Sequence, residues 1–430
     1  MTTFNRRRFL SLSGGAALTA GLAACTGTST SGGSGNGSGS KELRVFTYEG
    51  EETIALFKAQ IKKFDEQNGT TTTVDQLPGS GAAVYPDKLR TELLGGKGPD
   101  IWRIWGGQLG SPFVKAKQAM DLSPYYQKYG WDTKISKAAI DGMTFNGVKG
   151  GLPFTALGIG IWYNKAAFTR AGITAPPTSY AALEEANAKL LASGITPCGT
   201  AGKYGWHIMR LFEYLLETAA GADLHDKLLL GTETWDRPEV VTAFTNFKKW
   251  QDSKWIPEGA VGLDPADVEP QYVQGKVAYT IVGPWTEAAH IQAGGKQSAD
   301  FGMFEMPTDK TPVRHSGFVE GYMINAKTGN ADNAAALLNF LVQPDTVKAL
   351  KNTASTVAGA EPDPSTLPLS AAWLAGPGKK PFYTIQDQAF PKQQSDQYFA
   401  IQSDVLQGKT SPADAAKKMQ DVIKAWANKG

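Results

Sequence analysis

Residues 274–288, QGKVAYTIVGPWTEA, decide the fold predicted for this chain. Gly275 and the pair Gly283-Pro284 are typical of turns, and the apolar run Val277–Val282 between them is typical of a strand buried on both faces. Such strands occur in open α/β sheets, where ligands bind beyond the carboxyl ends. Trp285 follows directly, so the sequence places its indole either at a ligand site or in the core.

The start of the folded body shows alternating strand and helix patterns. The predicted order is strand, helix, strand, helix, strand, at 43–48, 51–67, 71–77, 85–94 and 100–105. This βαβαβ order predicts a parallel sheet with right-handed crossovers, and an α/β fold. Glu49 and Trp105 follow the first and third strands, so we expect both at the ligand side of the sheet.

Length and composition indicate two lobes and a near-neutral surface. The chain has 430 residues, and this length exceeds what one hydrophobic core usually supports. Hydrophobic residues make up 41% of the chain and charged residues 20%, which is typical of a globular protein. The formal charge is +2, and without the three arginines at 6–8 the remainder carries about −1. Nucleic-acid binding requires a basic surface, so we expect no nucleic-acid partner.

The first forty residues are typical of an export signal followed by a tether. Arg6 and Arg7 precede a mildly apolar run, so residues 1–24 are predicted to be a cleaved signal peptide of twin-arginine type, with a Sec signal as the alternative. Leu22-Ala23-Ala24-Cys25 resembles a bacterial lipobox, in which the Cys carries a lipid. Residues 25–40 are rich in Gly, Ser and Thr, which predicts a flexible linker from a membrane anchor.

Cysteine and histidine usage indicates no metal site. Only Cys198 remains beside Cys25, so no disulfide within the folded body is available. The histidines, at 207, 225, 290 and 315, have no ligand spacing. We expect neither a metal nor a cofactor.

Several motifs follow one another in a fixed order between residue 43 and the C-terminus. They are Gly98-Pro99-Asp100-Ile101, Asn146-Gly147 to Leu152-Pro153, Trp162-Tyr163-Asn164-Lys165 with Phe168 and Ala171-Gly172, and residues 275–285, 317–325, 331–341 and 408–423. In this order they resemble the solute-binding proteins of bacterial ABC importers, in particular the maltose-binding-like family that takes sugars and oligosaccharides. Each motif alone is weak, whereas their order combined with the lipobox is specific.

The resemblance implies a two-lobed fold in which a mainly parallel sheet flanked by helices forms each lobe. Crossings near 156, 315 and 365 divide the chain into an N-terminal lobe, 41–156 plus 315–365, and a C-terminal lobe, 157–314 plus 366–430. The implied function is capture of a sugar or oligosaccharide and its delivery to permease subunits. The protein would act as a lipid-anchored monomer at the extracellular face of the cell membrane, without catalysis.

The candidate ligand-binding residues are aromatic and acidic. They are Trp105, Trp206 and Trp285, whose indoles would cover sugar C–H surfaces, and Glu49, Tyr85, Glu320 and Tyr398, which would hydrogen-bond hydroxyls. For Trp206, as for Trp285, a core position is an equal alternative. Glu49 in place of an Asp-Lys pair, and Tyr398 in place of Trp, depart from a typical maltose binder. A xylo-, cello- or chito-disaccharide is therefore an alternative ligand.

Two other classes of function remain open from the sequence. A secreted glycoside hydrolase needs two facing carboxylates, for which Glu49, Glu287 and Glu320 are candidates without evident pairing. A surface adhesin would bind polymer and would not need hinged lobes. Motifs of serine hydrolases, zinc proteases, P-loop proteins and dinucleotide-binding enzymes are not present in the sequence.

Overall fold

A computed structural model describes residues 41–77, 84–292, 294, 298–380 and 382–427. Nineteen α-helices within these ranges are α1 Glu51–Asn68, α2 Tyr85–Leu94, α3 Gly107–Lys115, α4 Ser123–Tyr129, α5 Trp131–Lys134, α6 Lys137–Gly142, α7 Lys165–Arg170, α8 Tyr180–Ala192, α9 Trp206–Ala220, α10 Ala222–Leu229, α11 Pro238–Asp252, α12 Pro265–Val273, α13 Thr286–Gln292, α14 Ala331–Leu341, α15 Pro344–Ala349, α16 Pro368–Ala375, α17 Gln386–Ala389, α18 Lys392–Leu406 and α19 Pro412–Ala427.

The strands of the described residues form two large sheets and one small hairpin. They are β1 Glu42–Thr47, β2 Thr71–Gln76, β3 Ile101–Trp105, β4 Thr144–Phe145, β5 Val148–Lys149, β6 Leu152–Gly158, β7 Gly160–Asn164, β8 Thr196–Gly199, β9 Val277–Val282, β10 Phe301–Phe304, β11 His315–Ile324 and β12 Phe382–Thr384.

The first sheet has six strands in the order β12-β11-β3-β1-β2, with β6 also paired to β11. The three strands β2, β1 and β3 are mutually parallel, as the βαβαβ pattern predicts. The long strand β11 is antiparallel to both β3 and β6 and is buried along its whole length. Its pairing places Glu320 opposite Trp105, which brings two distant candidate residues together at one edge.

The second sheet has four strands in the order β10-β7-β9-β8. All six residues of β9, the strand in the stretch that opened the sequence analysis, are buried, as its apolar run predicts. However, β7 is antiparallel to both β9 and β10, and only β8 is parallel to β9. The expectation of mainly parallel sheets is therefore corrected to mixed sheets, because β11 is antiparallel to β3 and β6, and β7 is antiparallel to β9 and β10.

Each sheet has a hydrophobic core of its own. The first core is built on Val45, Ile101 and Ile104, and helices α1 and α14 contribute to it Phe57 and Leu338, among others. In the second core, α9 packs against β9, and α11, α18 and α19 pack on α9 and on one another. Two cores agree with the expectation from the length of the chain, because 430 residues exceed what one hydrophobic core usually supports.

The chain crosses between the sheets at Ile159, which separates β6 from β7. Trp373 of α16 is fully buried against this crossing, where a Cβ at Gly160 would lie only 2.5 Å from its Cη2 atom. One segment differs from the expected lobe assignment of 366–430, because β12 pairs with β11 of the first sheet. The rest of that segment, through α18 and α19, packs on the second core.

Candidate functional site

A cavity of about 980 Å³ is lined by residues of both lobes. Of the seven ligand-binding candidates, five line its wall. They are Glu49, Trp105 and Glu320 from the first sheet, and Trp206 and Trp285 from the second lobe. The cavity is open enough for a small ligand to enter and has the size of a typical small-molecule site.

Two carboxylates of the first sheet share one guanidinium at the cavity wall. Arg103 of β3 donates hydrogen bonds to Glu49 Oε1 and to Glu320 Oε2. Glu49 also accepts a bond of 3.0 Å from Thr53, and Glu320 accepts one of 3.2 Å from Thr155. Burial opposes the charge of Arg103, but the two carboxylates outweigh it and raise the pKa of Arg103 well above its usual value. The result is a fixed row of acceptors and donors facing the cavity.

The indole of Trp105 lines the cavity and packs on a buried tyrosine. Its ring stacks on Tyr48, with ring centroids 4.2 Å apart and planes 14° from parallel. Arg103 in turn lies over Tyr48, 5.1 Å from its ring centroid. Because Tyr48 is buried and Trp105 is only half-buried at the cavity, the remaining indole surface is available to a flat ligand.

The second lobe contributes two indoles that flank an arginine. Trp206 is the first residue of α9, and Arg210 follows one turn later on the same helix face. The Arg210 Cζ atom lies 4.3 Å from the ring centroid of Trp206 and 4.8 Å from that of Trp285. Arg210 is 6% exposed, and burial lowers its pKa to about 10 against the attraction of nearby carboxylates.

Two glycines make room for aromatic side chains of the cavity wall. A Cβ at Gly283 would lie 2.0 Å from Cζ3 of Trp285, so the indole folds directly over the backbone of the turn. Gly205, directly before α9, has a φ of +78°, which favours glycine, and a Cβ at this position would lie 2.2 Å from Cγ of Phe399. Side chains at either position would displace the aromatic wall.

Asp387 faces the same cavity from α17. Burial raises its pKa to about 6, even though Arg210 attracts its charged form. Its neighbour Gln386 is held inside the protein, where its backbone N–H donates to Glu213 and its side-chain nitrogen lies 2.9 Å from His225 Nε2. These contacts fix the backbone that carries Asp387.

Tyr85 and Tyr398 do not reach the cavity, which corrects the expectation that they contact a ligand. Both are fully buried, in the first and the second core respectively. The Tyr85 hydroxyl donates to the Phe46 carbonyl at 2.8 Å, and the Tyr398 hydroxyl donates to Gln386. Each phenol therefore satisfies its hydroxyl inside the protein, as buried tyrosines usually do.

Glu287, one of the acids considered for hydrolysis, has a structural position. It is fully buried and accepts hydrogen bonds from the backbone N–H groups of Leu369 and Ser370, at 2.8 and 2.7 Å. These are the first free N–H groups of α16, so Glu287 stabilises the start of that helix.

Arg103, Arg210 and Asp387 were missed by the sequence analysis. The strand IWRIW carried a signal for Arg103, because alternate strand residues share a face and Arg103 therefore lies beside Trp105. The spacing of four from Trp206 was a signal for Arg210. Asp387 had no local signal, since its role depends on a segment that packs from far along the chain.

Some predictions fall outside what the structure describes. Arg6, Arg7 and Cys25, with the whole of residues 1–40, are not among the described residues. Within the described ranges, no helix has the length and hydrophobicity needed to cross a bilayer. The same ranges contain no cluster of three His, Cys, Asp or Glu side chains arranged to hold a metal ion. Cys198 is a buried free thiol.

Comparisons with known proteins agree with this architecture. An uncharacterized ABC transporter extracellular-binding protein of Pyrococcus horikoshii is 24% identical over 378 residues, which are 86% of this chain and 80% of the relative. The maltodextrin-binding protein of Bacillus subtilis is 22% identical over 325 residues, 71% of this chain and 68% of the relative.

A solved structure and a family model complete the comparison. A chitin oligosaccharide binding protein matches with a TM-score of 0.82 and 24% identity, covering 91% of this chain and 100% of that chain. This likeness confirms the two-lobed α/β fold. Residues 49–348, more than half of the chain, match the model for bacterial extracellular solute-binding proteins. The chain therefore belongs to the bacterial extracellular solute-binding protein family.

Proposed function

We propose that this protein captures a sugar or oligosaccharide between its two lobes and delivers it unaltered to the permease subunits of an ABC importer. The observation that carries the proposal is one cavity with indoles on both sides, Trp105 from the first sheet and Trp206 and Trp285 from the second lobe. Sugar rings combine flat C–H surfaces with hydroxyls at their edges. A wall of indoles with a few fixed polar groups is suited to that chemistry.

In the proposed mechanism, the first lobe orients the ligand. Glu49 and Glu320 accept hydrogen bonds from sugar hydroxyls, and Arg103 keeps both carboxylates in place. The second lobe then adds Trp206 and Trp285. Contacts from both lobes exist together only when the lobes close, so binding free energy favours the closed state.

The relatives support a saccharide ligand. The Bacillus subtilis relative is a maltodextrin-binding protein, and the structural neighbour binds chitin oligosaccharides. The two proteins bind different sugars, so the likeness supports the ligand class without selecting one member. Glu49 stands where a typical maltose binder has an Asp-Lys pair, and Tyr398 is buried in the second core. Both features support a binding site that differs from that of a maltose binder.

The arrangement of the acids favours binding over hydrolysis. A glycoside hydrolase holds two carboxylates on either side of the scissile bond. Here one guanidinium, that of Arg103, is hydrogen-bonded to both Glu49 and Glu320, and Glu287 caps a helix and does not line the cavity. We therefore propose that no covalent bond changes.

The proposal includes export and anchoring. Arg6 and Arg7 would direct export, and a lipid on Cys25 would hold a monomeric protein at the extracellular face of the membrane, with residues 26–40 as a tether. The N-terminal lobe would comprise 41–156 and 315–365, together with the strand β12. The remainder of the chain would form the C-terminal lobe.

A thermal-shift panel tests the function. We expect the melting temperature to rise with at least one member of a panel containing chitobiose, xylotriose, cellobiose, maltotriose, raffinose and galactose, because a ligand that binds only the native state stabilises it. Chromatography of the recovered ligand should show it intact. Release of shorter sugars would indicate a hydrolase, and binding to insoluble polymer with no effect of any small sugar would indicate an adhesin.

A further inference from the structure

Arg210 is a buried cation with unused hydrogen-bonding groups at the cavity. Its Nε and Nη1 atoms have no hydrogen-bond partner, although the residue is 94% buried, and it forms no ion pair with any described residue. Burying donors of a charged group without acceptors costs free energy, so native structures almost always supply a partner. The indoles of Trp206 and Trp285 attract the cation but cannot accept hydrogen bonds in its plane.

Two other arginines of the described residues, Arg103 and Arg314, also have largely covered side chains and provide a comparison. Arg103 is bonded to Glu49 and Glu320, and Arg314 is bonded to Glu217 and Asp226. Each of these guanidiniums forms ion pairs with two carboxylates, even though Nε of Arg103 also lacks a hydrogen-bond partner, whereas Arg210 contacts two indoles and lines the cavity. The missing partner of Arg210 is therefore expected from a ligand.

Asp387 lines the same cavity and has a complementary deficit. Its Oδ1 atom is buried without a hydrogen-bond partner, yet Asp387 and Arg210 do not form an ion pair with each other. The contacts of Gln386 with Glu213, His225 and Tyr398 hold this segment in place. Asp387 Oδ1 and the Nε and Nη1 atoms of Arg210 are therefore all without a hydrogen-bond partner at one cavity wall.

The surrounding charge decides what fits between them. Carboxylates outnumber cations among the described residues of the wall, and they are Glu49, Asp264, Glu269, Glu320, Asp387 and Asp396. Asp387 and Glu320 act electrostatically on Arg210 itself. An anionic group beside Arg210 would be repelled by these carboxylates, whereas a neutral pair of hydroxyls can accept from one side and donate to the other.

We propose that Arg210 and Asp387 form a polar clamp for two neighbouring hydroxyls of a neutral saccharide, and that the clamp excludes uronic acids and sugar phosphates. One hydroxyl oxygen accepts from Arg210, and the other hydroxyl donates to Asp387. This inference rests on the proposed function, because it names the ligand class of the same cavity.

Variants of the two residues test the clamp by calorimetry and thermal shift. Arg210→Met and Asp387→Asn are each expected to weaken binding of the best neutral saccharide of the panel about 10- to 100-fold. The melting temperature of the free Arg210→Met protein should not fall, because Met retains the packing between the indoles and removes unpaired donors. Arg90→Met, which replaces an arginine with a 42% exposed side chain outside the cavity wall, is the matched control and should leave both measurements unchanged.

The same assay includes trigalacturonate, galacturonate and glucose 6-phosphate as anionic probes. We expect no shift from them with the wild-type protein. Two results would overturn the clamp and leave the proposed function standing. One is unchanged affinity for the neutral saccharide in both variants. The other is an Arg210→Met protein whose melting temperature falls while its affinity stays the same. A thermal shift of the wild-type protein with any of these anionic probes would also overturn the clamp. If no saccharide of either charge binds, the clamp and the proposed function both fall.

Discussion

Replacing Arg314 with Met is expected to lower the free energy of unfolding by about 3–5 kcal/mol. Arg314 precedes β11 and donates two hydrogen bonds to Glu217, at 3.0 and 3.1 Å, and two to Asp226, at 2.9 Å. Glu217 is 4% exposed, so the substitution leaves a buried carboxylate with His225 as its remaining side-chain partner. Denaturant unfolding of the purified protein measures the loss.

The pH dependence of the stability loss in Arg314→Met shows whether the unpaired charge of Glu217 causes it. Burial raises the pKa of Glu217, but hydrogen bonds from His225 and Arg314 outweigh burial and lower it overall. A lowered folded-state pKa stabilises the wild type above about pH 4.5, and this contribution is lost as the pH falls through the folded value. The difference in free energy of unfolding between the wild type and Arg314→Met should therefore be largest near pH 7. It should decrease in acid, where a proton neutralises Glu217.

Two controls accompany this substitution. Lys62→Met removes one partner of an exposed pair with Glu66 and should change stability by less than about 0.5 kcal/mol. The double variant Arg314→Met with Glu217→Met should recover part of the loss, since no buried charge is left unpaired. An Arg314→Met protein as stable as the wild type at pH 7 would contradict the assigned role of the pair.

Trp285→Ala is expected to weaken binding of the best panel saccharide by about 2–4 kcal/mol, or roughly 30- to 1,000-fold. The indole supplies a flat wall of the cavity and one of the two faces that flank Arg210, so its loss removes both a ligand contact and the support of a cation. Titration calorimetry measures the affinity. Trp285→Phe, which keeps a ring, should lose less.

A second tryptophan separates binding from packing. Trp426 of α19 is also half-buried and packs on Phe390 in the second core, outside the cavity wall. Trp426→Ala should lower the melting temperature and leave affinity unchanged. If Trp285→Ala behaves in the same way, its indole belongs to the core, which is the alternative that the sequence left open.

The sequence was sufficient for the local elements and for one edge of the site. The apolar run of β9 and the turn at Gly283-Pro284 placed Trp285 beside the cavity, because a buried strand must end where its turn begins. The βαβαβ pattern likewise placed Glu49 and Trp105 at one sheet edge. These predictions depended on short-range periodicity, which a single sequence carries.

Pairings across long separations were not accessible in this way. Arg103 and Glu320 lie 217 positions apart, and only the antiparallel register of β11 on β3 brings them together. Tyr85 and Tyr398 look like ligand contacts in sequence, yet both hydroxyls find partners inside the protein. Whether an aromatic faces a core or a cavity depends on the packing of other segments, which local patterns do not encode.

Small-angle X-ray scattering tests the central claim, that two lobes close on a bound saccharide, most directly. The wild-type protein is measured alone and with a saturating amount of the panel saccharide that raises its melting temperature most. We expect the radius of gyration to decrease with the ligand and to return to its initial value after dialysis. An unchanged radius of gyration at saturation would contradict closure of the lobes on the ligand.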